Sequence, residues 1–180
     1  MENLELRNDL SYTLGIAHTK HELGRVTRLT GEFDNGRKHL EEAIQITENL
    51  PDNPGALMAD LHDLGCLELD LATEIYKLEN FSKAQLHFKE AKQHFERSLK
   101  IARGIKNKLA ITTKLYELGR HAGFTKRFAA AENYLNECLE IRQSLEDKYG
   151  ISQAFQGQAE VAIEAALFQS KRENKSELNS

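Results

Sequence analysis

Apolar residues recur three and four positions apart along almost the whole chain, which is the spacing of one face of an α-helix. Leu64, Leu67, Leu71, Ile75 and Leu78 predict one long helix, and Phe81, Ala84, Phe88, Ala91, Phe95, Leu99 and Ala102 predict the next. Breaks fall at Thr30-Gly31, at Pro51-Asp52-Asn53-Pro54, at Gly104 and at Gly150. Asp52 or Asn53 is expected to cap a helix that opens with Pro54, and Ser82 with Gln85 reads as a capping box. Together these signals predict seven helices, over roughly 3–30, 33–49, 54–79, 82–103, 108–126, 128–148 and 151–171.

The helices repeat a template. Leu-Gly stands at Leu23-Gly24, Leu64-Gly65 and Leu118-Gly119; Leu14-Gly15 lacks the pattern that follows the others. Phe33 and Phe128 lie nine residues after the first and third of these glycines, Gly36 and Ala131 twelve, Leu40 and Leu135 sixteen, Ala43 and Cys138 nineteen. Alternating small and large positions of this kind bring two helices close together. In the middle copy, Gly65 to Ala91 is 26 residues, fourteen more than in the others. Fourteen residues are about four helical turns, so both helices of that hairpin are expected to gain two turns each. The expected tip lies near Glu79-Asn80-Phe81-Ser82.

The order Leu-Gly, aromatic, then Ala-x-x-x-Phe resembles the tetratricopeptide repeat (TPR). Ala91-x-x-x-Phe95 and Ala84-x-x-x-Phe88 match it outright, and Gly36-x-x-x-Leu40 and Ala131-x-x-x-Leu135 are conservative versions. The 41-residue spacing of the first two Leu-Gly pairs resembles the 40–42-residue subtype of kinesin light chains and bacterial signalling-ATPase sensors. The resemblance covers about residues 17 to 145 and implies an all-α fold. That fold is a right-handed superhelical TPR-like solenoid of three helical hairpins plus a C-terminal closing helix, with the middle hairpin elongated. The hairpins are expected at about 3–49, 54–103 and 108–148, the closing helix at 151–171, all in one domain over 1–171, with a polar tail over 172–180.

Composition fits a soluble scaffold. Hydrophobic residues make up 40% and charged residues 29% of the 180, and Leu, Ala, Glu and Lys dominate. No apolar run reaches the roughly 18 residues of a membrane span, and Glu2, Glu5 and Asp9 are the opposite of a basic secretory start. A cytoplasmic protein is expected, with Cys66 and Cys138 reduced. Charge is uneven: residues 1–91 carry net −8, residues 92–127 net +8 and residues 128–180 net −4. The basic segment is Lys92, Arg97, Lys100, Arg103, Lys106, Lys108, Lys114, Arg120, Lys126 and Arg127. Such asymmetry points to an acidic partner or to self-association. No aromatic residues interleave with these charges in the manner of a nucleic-acid motif, so nucleic acid through 92–127 ranks as a lesser alternative.

The resemblance implies that a partner is held on the concave face of the first helices. Counted along the template, the groove positions are His18, His21, Arg25 and Arg28, then Ala59, His62, Cys66 and Leu69, then Thr113, Tyr116, Arg120 and Gly123. Planar donors at these slots suit carboxylates and carbonyls. One family variant grips a C-terminal carboxylate with Lys and Asn; His21 and Arg25 stand in those places here, which argues against that ligand. His18 with His21, and His62 with Cys66, share helix faces, but no tight Cys or His motif accompanies them, so no metal and no cofactor is expected. No phosphate loop, nucleophile elbow or His-Glu-x-x-His motif occurs; His21-Glu22 is followed by Arg25. Acid pairs such as Glu41-Glu42 read as solvated faces. The expectation is a protein-binding scaffold, with a regulatory or oligomerisation module of a larger signalling protein as the alternative, and no enzymatic activity. The last helix carries Ile151, Phe155, Ala159, Ala162, Ile163, Ala166 and Leu167, with Val161, Ala165 and Phe168 widening the apolar surface. That surface exceeds what a polar solenoid cap shows and suggests a homodimer or a docked partner.

Overall fold

The computed structural model describes the backbone of residues 2–50 and 52–177 and the side chains of residues 10–50 and 52–173. Among the described residues there are seven helices and no strand: α1 (Glu2–Leu29), α2 (Phe33–Thr47), α3 (Pro54–Lys77), α4 (Phe81–Gly104), α5 (Lys108–Phe124), α6 (Phe128–Ser144) and α7 (Lys148–Glu177). The expected all-α TPR-like repeat architecture is present, and so is the elongated hairpin. Helices α3 and α4 are 24 residues each, against 17 each for α5 and α6, which is two extra turns per helix.

Five of the six connections use one device. Each places a single residue in the left-handed region one position before the next helix's N-cap: Gly31 (φ 82°), Glu79 (61°), Lys106 (55°), Lys126 (60°) and Glu146 (53°). In four of them the following residue's N–H returns five residues to a carbonyl, as in Glu32 to Thr27, Asn80 to Ile75, Arg127 to Ala122 and Asp147 to Arg142. That closes the helix end and reverses the chain within three residues. The α2–α3 link, whose sequence holds Pro51 and Pro54, has no left-handed residue among its described positions.

This device shifts several expected boundaries. Asn80, not Ser82, caps α4, accepting the Lys83 N–H at 3.3 Å, so the Ser82–Gln85 capping box does not form. Gly150 does not end α6; Glu146 makes that turn, and Asp147 opens α7 by accepting the Gly150 N–H at 2.9 Å. This hydrogen bond, reinforced by Arg142, holds the Asp147 carboxyl below the usual carboxylate range. The polar stretch from 172 to 177 continues α7 as helix, while 178–180 lie outside the described residues.

The chain forms two compact units, one running through Lys106 and one starting at Asn107. In the first, hairpins α1–α2 and α3–α4 pack through α2 on α3, with α1 beside α3. Its core joins Leu40, Ile44, Leu61, Leu64 and Leu67, flanked by Phe33, Leu57 and Ile101. In the second, hairpin α5–α6 packs on α7 through both its helices, around Ala122, Ala131, Leu135 and Val161.

The Leu-Gly glycines show why the template exists. A Cβ on Gly24 would lie 2.5 Å from Leu40 Cγ, one on Gly65 2.7 Å from the Phe95 ring, and one on Gly119 2.7 Å from Leu135 Cγ. Each hairpin therefore seats one large residue of its second helix directly over a glycine of its first. Phe95 sits thirty residues after Gly65 where Leu40 and Leu135 sit sixteen after theirs, so the fourteen added residues preserve the contact.

Gly65→Ala is expected to destabilise the fold by about 1–3 kcal/mol through overpacking against Phe95. Gly65→Ala with Phe95→Leu should recover part of that loss in urea unfolding. Equal stability of Gly65→Ala and wild type would show that the ring is not wedged.

Candidate functional site

The expected groove positions fall on first helices, and the structure supplies them with neighbours that sequence pattern did not reveal. His21 reaches from α1 to α3, with Nδ1 2.8 Å from Asp60 and Nε2 3.0 Å from Asp63. Arg28 donates to Asp70 at 2.6 Å, and Arg25 lies 3.2 Å from Glu22 and 3.8 Å from Asp63. Asp60 is buried and also accepts the Thr47 hydroxyl at 2.8 Å, which ties in the end of α2. The cations of α1 thus face a row of carboxylates on α3.

Electrostatics follow from this geometry. Hydrogen bonds donated by the His21 ring to Asp60 and then to Asp63 push its pKa up to about 9, against the opposing effect of burial. Burial alone would raise Asp63, yet its hydrogen bond with His21 and the nearby His62, His21 and Arg25 hold it below the usual range. Beside this clamp lies a cleft of about 300 Å³, lined by Leu14, His18, His21, Glu22, Ala59 and Asp60 among others. The His18 and His21 rings stack at 6.5 Å. On α3, His62 Nε2 is 3.8 Å from Cys66 Sγ, and Leu69 is buried.

A second charged group ties α2, α3 and α4. Glu68 is fully buried, yet it pairs with Arg37 at 2.6 Å and with His87 at 2.8 Å. Arg37 and His87 also approach Glu90, at 3.6 Å and 3.5 Å. Burial pushes the Glu68 carboxyl up, while His87 and Arg37 pull it back. Sequence reasoning missed this group, although the signal was there: Glu68 stands on the apolar stripe of Leu61, Leu64, Ala72 and Ile75. An acid on a core stripe must find buried partners.

Two residue groups could offer three ligands to a cation, His62-Asp63-Cys66 and Glu68-His87-Glu90, each with its ligand atoms within 4.8 Å. Cationic side chains already stand against both: His21 and Arg25 on Asp63, Arg37 on Glu68. The structure brings His62 and Cys66 together, but turns His21 toward carboxylates instead of toward them.

In the second unit, a cleft of about 260 Å³ opens between α5 and α7, lined by Arg120, Gly123, Phe124, Glu160, Val161 and Ile163 among others. Arg120 donates to Glu117 at 3.0 Å, and its guanidinium lies 6.0 Å from the centroids of both the Tyr116 and Phe124 rings. Stacking on two rings holds a planar donor at the mouth of an apolar cleft.

The basic segment is less uniform than its sequence suggests. Lys92 pairs with Glu96 at 3.2 Å, Arg97 with Glu48 at 2.7 Å and Lys126 with Glu164 at 2.9 Å. Lys114 is buried, so this member of the basic segment faces the packed side of α5. Lys100, Arg103, Lys106, Lys108 and Arg127 are exposed. Glu42, expected on a solvated face, instead pairs with Lys20 at 2.6 Å.

The His21 clamp gives stability a pH dependence. An unfolded histidine titrates near 6.5. A folded value near 9 means the contribution is complete below about pH 6.5 and is lost as pH rises through about 9. The melting temperature is expected to fall over that window, and His21→Gln should flatten the fall. An unchanged slope in His21→Gln would remove His21 as its source.

With the geometry in place, comparison with known proteins gives the family. Two tetratricopeptide repeat models match, one over residues 16–50 and one over residues 115–145. The first spans the Gly24–Leu40 contact and the second the Gly119–Leu135 contact, while the elongated hairpin lies between them. No curated protein sequence matches the chain at a significant level. Among the described residues, no helix is long and apolar enough to cross a membrane. Two matched repeats, each closed by the same glycine contact, make this chain a tetratricopeptide repeat protein.

Proposed function

We propose that the chain is a non-enzymatic scaffold that holds a protein partner along the faces of its first helices. Tetratricopeptide repeats are protein-interaction scaffolds, which supports the general reading. One observation carries the finer one: the cleft between α5 and α7 pairs apolar walls, from Phe124, Val161 and Ile163, with the stacked guanidinium of Arg120. A peptide that places an apolar side chain between the helices and a carboxylate or carbonyl at Arg120 would fit both.

The clamp on α1 and α3 shapes the other cleft. His21 and Arg28 are held by carboxylates, so they set the wall and not the grip. Arg25, nearly half exposed and only loosely paired, is the cation of α1 that a partner can recruit. The exposed members of the basic segment add long-range attraction for an acidic partner, a preference that falls with salt.

Arg25→Ala with Arg120→Ala is expected to cut partner capture at least fivefold, with the melting temperature held to within a few degrees. The measurement is quantitative mass spectrometry of proteins retained by immobilised full-length chain. Capture unchanged by the double substitution would reject the groove. Retention of random RNA in place of any protein, lost steeply with salt, would favour the nucleic-acid alternative.

A further inference from the structure

His21 and His62 occupy the same slot of the repeat, 41 residues apart, as Gly24 and Gly65 do. Within the first unit His21 reaches across from α1 to Asp60 and Asp63 of α3, the two carboxylates that bracket His62. Asp60 fixes how the ring is presented. A carboxylate only accepts, so Nδ1 donates its hydrogen to Asp60, at 2.8 Å. Nε2 then faces Asp63, at 3.0 Å. In the neutral ring Nε2 carries a lone pair, and a lone pair facing a carboxylate at that distance needs a positive centre beside them. A proton on Nε2 is one solution, and a metal ion held by both groups is the other. A ring whose far nitrogen donates to a carboxylate is the common form of a metal-ligating histidine.

The remaining ligands stand on α3. His62 and Cys66 lie four residues apart on one helix face, with Nε2 3.8 Å from Sγ. Asp63 joins the two pairs, because its carboxylate, the His62 nitrogen and the Cys66 sulfur lie within 4.8 Å of one another. Zinc bonds of about 2.0–2.3 Å place neighbouring ligand atoms of a tetrahedral site about 3.3–3.6 Å apart. The pairs at 3.0 Å and 3.8 Å bracket that range, so small side-chain rotations close the set around one ion. His21 and Asp63 keep 13% and 15% of their side chains exposed, and His21 borders the cleft of about 300 Å³ through which an ion can enter. Charge balances as well: the ion and the nearby Arg25 offset Asp60, Asp63 and a Cys66 thiolate.

The group Glu68-His87-Glu90 differs in the cation it already holds. Arg37 lies 2.6 Å from the fully buried Glu68, and a guanidinium has no lone pair with which to become a ligand. At Asp63 the close cation is an imidazole, which becomes a ligand by losing one proton.

We propose that His21, His62, Asp63 and Cys66 form a zinc site that clips α1 to α3, with Asp60 positioning His21. One ligand stands a full repeat before the other three, so no compact motif marks the site in the sequence. The proposal does not depend on partner capture in the groove.

The test uses the reduced full-length chain, stripped with a chelator and returned to chelator-free buffer, with cobalt(II) as the probe for zinc. Expected is a saturating thiolate-to-cobalt charge-transfer band together with the visible bands of tetrahedral cobalt, both bleached by zinc. In competition with a chromophoric chelator, Cys66→Ser and His21→Gln should each weaken zinc binding at least tenfold, while Cys138→Ser leaves it unchanged. Asp60→Asn should keep the thiolate band but shift the visible bands, because it changes the donor strength of His21 and not the ligand set. Circular dichroism checks that each variant stays helical. A cobalt spectrum without a thiolate band, or zinc affinity indifferent to Cys66→Ser, would overturn the proposal. So would binding lost in His87→Gln and retained in His21→Gln, because the ion would then sit at Glu68.

Discussion

The whole structure depends on one steric constraint: a large side chain of each second helix lies where a Cβ of the first helix would be. Leu40 over Gly24, Phe95 over Gly65 and Leu135 over Gly119 fix both the depth and the register of each hairpin. A glycine inside a helix costs about 1 kcal/mol relative to alanine. The contact offsets that cost by letting the backbones approach and by burying a whole Leu or Phe, worth roughly 1.5–3 kcal/mol. Because the contact sits far from the turns, the middle hairpin could be lengthened by two turns per helix without disturbing it. Gly36 extends the logic between hairpins, since a Cβ there would meet Leu67 of α3 at 2.8 Å.

Apolar packing sets how close the hairpins lie, and buried charge sets which hairpin faces which. Between α1–α2 and α3, the cations His21, Arg28 and Arg37 come from one hairpin and the anions Asp60, Asp70 and Glu68 from the other. A buried pair of this kind adds little net stability, because desolvation consumes most of the attraction. Its value lies in what it forbids: sliding the α3–α4 hairpin by one turn along α2 would leave Glu68 buried without Arg37, a far larger cost. The same pairs remove most of the positive charge from the α1 surface. Any preference for an acidic partner on this face would have to come from the few cations left exposed.

The sequence displayed the repeat because the template is periodic and steric. Offsets of nine, twelve, sixteen and nineteen residues recur only if two helices meet in the same way, and the fourteen-residue excess translated directly into seven residues per helix. Boundaries were less legible. Asn80 and Ser82 are both good caps, and the choice fell to Asn80 because Glu79 takes the left-handed turn one residue earlier. The same turn chemistry at Glu146 displaced the break expected at Gly150. The partners of the groove cations were hidden because a carboxylate on α3 looks the same in sequence whether it faces water or His21. The exception was Glu68, whose place among Leu61, Leu64, Ala72 and Ile75 marked it as buried.

Ala159 stands eleven residues after the start of α7, as Gly65 and Gly119 do in α3 and α5, and the difference in residue follows from the same steric rule. A glycine is required only where a covering side chain leaves no room for a methyl group. At Ala159 no described side chain of this chain presses down, so a methyl is tolerated and brings the full helix propensity of alanine. That propensity matters in α7, which must hold its shape with one side uncovered. Ala159, Ala162, Ala165 and Ala166 supply it along the exposed stretch. Helix α7 is thereby self-supporting as a helix while still presenting an apolar face.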